Sequence, residues 1–333
     1  MPDDDTSVWS LARGLIFFAV LPCAVLMAIA YVHTEYFTPP PYAGVVLQDG
    51  VQYVSARRFE THGLEALTTG DKVVERKSWS APAVAGGAPL PVTVLIHGYN
   101  GQEGKVATYF ADLATSLRTD AKYAGPLIVF DWPAIAVPLD ELPTSERLRM
   151  DMHSYTKNTW TQPAYEFNMY KIDQRSAESV GAVAFLALLN SLKEHPGTTV
   201  QIIAHSMGCY LLARAMQLQP AAFSRVGSMV WLAPDVDATL VDEPWFRQAL
   251  GKLGTGLFVH YSRNDTTLTL LSRAANGTPR LGAVGHSTGT TSIPKLEFID
   301  MTVELGTDKV HGGYLRRDSP SREHIAKEVA ERR

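Results

Sequence analysis

Ser206 stands inside "TTVQIIAHSMGCYLLARAM" (198–216), where a β-branched apolar run passes through one serine between small residues into a helix-like segment. A serine hydroxyl becomes a useful nucleophile when a sharp turn lifts it clear of the backbone and an imidazole, itself oriented by a carboxylate, takes its proton. Strand, turn and immediate helix supply such a setting, and Ala204 and Gly208, two residues before and two after, keep the turn uncrowded. Alanine at the first of these positions adds a methyl group that a glycine would not. The bland reading is a serine that merely caps a helix.

The partners must come from elsewhere in the chain. Asp265 in "VHYSRND" ends a late apolar run and is the first choice of acid; Asp235 in "LAPDVD" is the alternative, and Asp237 a weaker one. Of the ten histidines, His286, His311 and His324 follow Asp265. His311, in "TDKVHGGYL", falls between the expected last strand "KLEFIDMTV" and the terminal helix "SREHIAKEVAERR", in a loop whose glycines would let the ring be presented. His286 lies in a Gly-rich loop too early for that slot, and His324 falls on the terminal helix.

From residue 91 the pattern alternates apolar runs with helix-like segments: "PVTVLIHGYN", "KVATYFADLATSLRTD", "GPLIVFDWP", "RSAESVGAVAFLALLNSLKEH", "TTVQIIAHS", "GCYLLARAMQL", "VGSMVWLAPDVD" and "GLFVHYSRND". Short runs apolar on both faces and separated by helices are the pattern of parallel strands in an α/β sheet, so a mostly parallel, doubly wound sheet is expected over 42–333. Upstream, "GVVLQDGVQYVSAR" reads as a hairpin around Asp49-Gly50. Residues 133–172 are too long for a strand-to-helix connection and read as a lid-like insertion. Its aromatics, Tyr155, Trp160, Tyr165, Phe167 and Tyr170, could line a substrate pocket or pack the insertion onto the domain; Trp160 and Tyr165, with Trp132 just before the insertion, are the candidate substrate-pocket residues.

Through "HGYN" (97–100), "AHSMG" (204–208), "SRND" (262–265) and the late His311, the sequence resembles the α/β-hydrolase superfamily. It is similar to a mainly bacterial esterase/lipase-like branch that also shares Trp132-Pro133 and "APDVD" (233–237). The resemblance covers roughly residues 90–315. It implies the α/β-hydrolase fold and cleavage of an ester, thioester or amide through an acyl-enzyme, with no cofactor. Ser206 would attack, His311 would carry the proton, and Asp265 would fix the imidazole. The oxyanion would rest on the backbone N–H groups of Tyr99 and Met207, with Gly98 in the loop and His97 holding that loop. An acyltransferase with the same residues, or a binding protein that keeps the fold without catalysis, are the competing readings.

Composition bounds the partners. Hydrophobic residues make up 46% of the chain, ample for a core, and a net charge of -4 offers no basic surface for nucleic acid. The two cysteines, Cys23 in an apolar run and Cys209 after the serine, exclude a disulfide framework, and no metal-ligand motif appears. "LIFFAVLPCAVLMAIAYV" (Leu15–Val32) has no charge and is about long enough to span a bilayer. Arg13 precedes it and no further Lys or Arg occurs until Arg57, which puts residues 1–14 in the cytoplasm and the rest outside. A single-pass anchor is expected; Ala28-Ile29-Ala30 gives a cleaved, secreted or periplasmic form as the alternative. Residues 33–41 then form a Pro-rich linker, and a small-molecule or lipid acyl ester is the expected substrate.

Overall fold

The computed structural model describes residues 51–57, 59–68, 72–75, 91–99, 106–119, 123–134, 162–193, 199–286, 292–308, 310–316 and 318–330. The chain divides into two compact units, Met1–Ala43 with Pro138–Tyr165, and Gly44–Val137 with Glu166–Arg333. The expected anchor, the linker, the first arm of the Asp49-Gly50 hairpin and most of the insertion lie outside the described residues. Among the described residues no helix is long and apolar enough to cross a membrane.

Among the described residues, the second unit is built on a nine-stranded sheet. In chain order its strands are β1 (Val51–Ser55), β2 (Glu65–Thr68), β3 (Lys72–Glu75), β4 (Val92–Ile96), β5 (Leu127–Asp131), β6 (Val200–His205), β7 (Val226–Leu232), β8 (Gly256–Tyr261) and β9 (Leu296–Asp300). The spatial order is β3-β2-β1-β5-β4-β6-β7-β8-β9. Every pairing from β1 to β9 is parallel, and the antiparallel β2 and β3 extend the β1 edge. β1 therefore pairs in parallel with β5, Val51 against Leu127, and antiparallel with β2.

Parallel strands need crossovers, and the helices supply them. α1 (Val106–Thr119) joins β4 to β5; α2 (Gln162–Ser176) and α3 (Ala182–Lys193) precede β6; α4 (Met207–Leu218) joins β6 to β7; α5 (Pro244–Leu250) joins β7 to β8; α6 (Ser321–Ala330) closes the chain. Alternation along β6 assigns them to faces. Val200, Ile202 and Ala204 enter the main apolar core together with Phe185, Leu189, Leu212, Met216 and Phe246 of α3, α4 and α5. Gln201, on the other face, donates to the Val329 carbonyl of α6 at 2.9 Å, and α6 packs against α1. That second face is the more polar one: His260 of β8 meets Glu328 of α6 at 3.1 Å.

The helix expected from Arg175 begins thirteen residues earlier, at Gln162, and passes through a π-helical turn, Ala177–Gly181, into α3. The turn lies where a Cβ on Gly181 would stand 2.5 Å from Leu211 Cδ1, so glycine lets this segment rest on α4. Strand order reverses between β5-β4 and β6-β7, because the chain leaves β4 toward one edge and returns at β6 to build the other. The carboxyl ends of β4 and β6 flank this switch point, the place where open α/β sheets bind ligands.

Candidate active site

β6 ends at His205, and Ser206 follows with φ 54° and ψ -121° before α4 starts at Met207. A non-glycine residue at positive φ is strained and persists when its surroundings over-determine it. They do so here: the Ser206 N–H donates to the Leu232 carbonyl at 2.9 Å, and its own carbonyl accepts from Cys209 at 3.0 Å and Asp235 at 3.2 Å. Gly208 is required by contact, since a Cβ there would lie 2.5 Å from the His97 carbonyl. The Ala204 methyl is absorbed in the core. Cys209 is inert: burial pushes its thiol well above the ordinary range, and its Sγ donates to the Ala204 carbonyl at 3.3 Å.

The structure brings Ser206, His311 and Asp265 together. His311 Nε2 lies 2.9 Å from Ser206 Oγ, and His311 Nδ1 lies 2.7 Å from Asp265 Oδ2. Asp265 is fully buried, and its Oδ1 accepts the Leu268 N–H at 3.0 Å. With Nδ1–H donated to a carboxylate, Nε2 keeps the lone pair that can accept the serine proton. Asn264 ties the acid's loop to the segment leading toward His311, its Nδ2 donating to the carbonyls of Thr302 at 3.2 Å and Gly306 at 2.7 Å. His311 sits on a short helical turn, Val310–Gly313, rather than in the expected open loop.

His205 holds that turn from below. Its Nε2 lies 2.7 Å from the His311 carbonyl, which can only accept, so Nε2 carries the proton and the tautomer is fixed. Burial, reinforced by the neighbouring His311, holds the His205 imidazole down to about 3, so it stays neutral at ordinary pH.

On the oxyanion side, Gly98 packs directly on the elbow: a Cβ there would stand 2.7 Å from Ser206 Cβ and 3.0 Å from the His205 carbonyl. Met207 is the first residue of α4, where the helix itself offers its N–H no acceptor. His97 Nδ1 donates to the Gly98 carbonyl at 2.9 Å, and His97 Nε2 lies 3.1 Å from Asp131 Oδ1. Asp131, fully buried, is gripped by Arg57 through Nε–Oδ2 at 2.6 Å and Nη2–Oδ1 at 2.7 Å, and accepts the Tyr53 hydroxyl at 2.5 Å. Desolvation works to raise this carboxyl, yet Arg57 and His97 together hold it below the usual carboxylate range.

Residues 76–317 match the family described as alpha/beta hydrolase of unknown function (DUF900). The chain belongs to this family. No curated protein matches the sequence. Solved α/β-hydrolase-like structures similar to this one include three esterases or cutinase-like proteins. The first is Est1E from Butyrivibrio proteoclasticus, with 10% identity, TM-score 0.37, and coverage of 74% of this chain and 87% of that one. The second is a carboxylesterase, CesB (YbfK), from Bacillus subtilis, with 9% identity, TM-score 0.37, and coverage of 92% and 98%. The third is a cutinase-like protein from Cryptococcus sp., with 14% identity, TM-score 0.37, and coverage of 74% and 96%.

Within this hydrolase-family fold, a cavity of about 100 Å³ opens beside Ser206 and His311, walled by Tyr99, Tyr170, Asp235, Leu271 and Ser272. Asp235, the alternative acid, is engaged elsewhere: it is buried against Arg280, with Arg280 Nε at 2.8 Å from Oδ1. It also accepts the hydroxyls of Tyr170, at 2.9 Å, and Ser272. Asp237 caps a short turn through the Thr239 N–H at 2.8 Å. Trp132 is not a pocket residue: it is fully buried, stacked on His97 at 5.2 Å, with Nε1 donating to the His97 carbonyl at 2.8 Å. Trp160 and the Tyr165 side chain lie outside the described residues. His286 stacks on Phe298 and His324 packs edge-on to His260, neither beside the serine. Tyr170, one of the insertion aromatics that could line a pocket or pack the insertion onto the domain, lines the cavity. Ser272, Arg280, His205 and the Arg57–Asp131 pair were not singled out from sequence as site residues; among these, the available signal was the position of His205 next to the serine.

Proposed function

We propose that the protein is a serine hydrolase that cleaves an acyl ester through an acyl-enzyme. The observation that carries this reading is the serine at positive φ with its hydroxyl 2.9 Å from an imidazole that is itself 2.7 Å from a buried carboxylate. Ser206 Oγ attacks the acyl carbon while its proton passes to His311 Nε2, and Asp265 stabilises the imidazolium. The oxyanion is held by the N–H groups of Tyr99 and Met207. The C–O bond to the leaving alcohol then breaks, His311 returns the proton to that oxygen, and water repeats the sequence to release the acid. Thioesters and amides follow the same course with a sulfur or nitrogen leaving atom.

The charge-free stretch Leu15–Val32 and the flanking Arg13 support a single-pass anchor that leaves the hydrolase domain outside the cytoplasm. The test is turnover of short-chain esters by the full chain in detergent, followed by acid release with and without glycerol. Acid as the main product in both conditions supports hydrolysis; acyl-glycerol as the main product would make the protein an acyltransferase; no turnover by a folded chain would contradict the proposal.

A further inference from the structure

Resting on the ester-hydrolase reading, we infer that the cavity beside Ser206 is an acyl pocket selecting a short acyl group with a hydrogen-bond donor, usually a hydroxyl, which Asp235 accepts. The size argues for a short chain. About 100 Å³ is well under the roughly 300–1,000 Å³ of pockets that hold drug-sized ligands.

The chemistry argues for a donor. An ionised carboxylate offers about four acceptor sites. Among the described residues Asp235 uses three: Oδ1 accepts from Ser272 and Arg280, and Oδ2 accepts only from Tyr170. One acceptor site on Oδ2 is left unfilled by them, and Asp235 is one of the residues that line the cavity. The carboxylate is held in place by the bonds to both of its oxygens, and Arg280 Nη2 also donates to the Asp235 backbone carbonyl at 2.5 Å. Asn276 donates to the Tyr170 hydroxyl at 2.7 Å, which leaves that hydroxyl's own proton for Asp235. The Asp235 N–H bonds to the Ser206 carbonyl at 3.2 Å, so the carboxylate is in register with the nucleophile. A buried ion pair is a poor device for stability, since replacing one by apolar side chains is often neutral or stabilising. In the wall of an acyl pocket it has a use: it rejects a long apolar chain, which would cover the remaining acceptor site unpaired, and rewards a donor that fills it.

The experiment compares kcat/KM of the full chain in detergent on methyl propionate, methyl butyrate, methyl octanoate, methyl lactate and methyl 3-hydroxybutyrate, with fluorophosphonate uptake at Ser206 measured in parallel. A hydrogen bond to a charged group predicts about a tenfold preference for at least one hydroxy ester over its plain counterpart. Octanoate is expected at least about tenfold below butyrate, the usual scale of steric discrimination. Asp235→Asn should cut the hydroxyl preference to below threefold. Leu271→Ala, which leaves the Asp235 network intact, should raise octanoate relative to butyrate. Hydroxyl preferences under threefold for both pairs, or octanoate turned over as well as butyrate, in a chain whose Ser206 takes the label would overturn the inference while the hydrolase reading stands. A folded chain that takes no label overturns both.

Discussion

Replacing Asp131 with Asn tests whether the buried network under the Gly98 loop matters in the way its geometry implies. The substitution keeps the shape and one acceptor oxygen but removes the charge that Arg57 grips through two bonds of 2.6 and 2.7 Å. Arg57 is 5% exposed, so its guanidinium would stay buried after losing the carboxylate that two of its N–H groups grip. Breaking a buried pair from one side costs about 3–5 kcal/mol, and the residual acceptor places this case near the lower figure. At about 2–4 °C per kcal/mol for chains of 150–250 residues, less for longer ones, the melting temperature should fall by at least 5 °C or so. The effect should also depend on pH. The Asp131 carboxyl is held below its ordinary value, so its contribution is fully present above the unfolded-state pKa and is lost as pH falls through the lowered folded-state pKa. The gap between wild type and variant should therefore hold from neutral pH down to the ordinary carboxylate range, narrow as pH falls through that range, and close only below the lowered folded-state value. Thermal melts of both proteins from pH 7 downward measure this. A gap under about 1 kcal/mol at pH 7, or one that closes above pH 4, would refute the reasoning.

Asp265→Asn should lower kcat by roughly 10⁴, because an amide no longer holds the imidazole in the needed tautomer, whereas Asp235→Asn should cost far less on a plain short ester. Equal losses would reinstate Asp235 as the acid. His205→Phe keeps a flat aromatic ring, somewhat larger than the imidazole, but leaves the His311 carbonyl unpaired; a lost buried hydrogen bond of about 1–3 kcal/mol predicts a fall of roughly tenfold or more in kcat/KM with KM little changed, and recovery in His205→Gln, which restores an N–H. An unchanged kcat/KM in His205→Phe would show that the contact does not position the base. Ser206→Gly should raise stability relative to Ser206→Ala by about 1 kcal/mol, because glycine accepts φ 54° without the Cβ clash; chemical denaturation of the two variants side by side would expose an absent difference.

The central strands were legible because each is a short apolar run buried on both faces, and Ser206 because the run into it and the helix after it leave room for one sharp turn. β2 and β3 were not: "EALT" and "KVVE" are four-residue edge segments whose apolar content is too short to show a period. α2 was read as insertion because "QPAYEFNMYKIDQRS" is largely polar and carries no sustained apolar stripe; Met169, Tyr170 and Asp173 are buried on it nonetheless. Sequence order singled out His311 and ranked Asp265 above Asp235, but the partners that occupy Asp235 come from 45 residues downstream and 65 upstream, and Arg57 and Asp131 are 74 apart. Long-range polar pairs of this kind leave no local pattern. Trp132 was misjudged for a related reason: an aromatic at a strand end can face a pocket or the core, and here the His97 carbonyl and ring draw it inward.

The most direct measurement is fluorophosphonate labelling of the full chain, wild type beside Ser206→Ala and His311→Ala, with the labelled peptide located by mass spectrometry. One label is expected, on Ser206, abolished by the first substitution and reduced by orders of magnitude by the second. A folded wild-type chain that takes up no label, or one labelled equally well without His311, would contradict it.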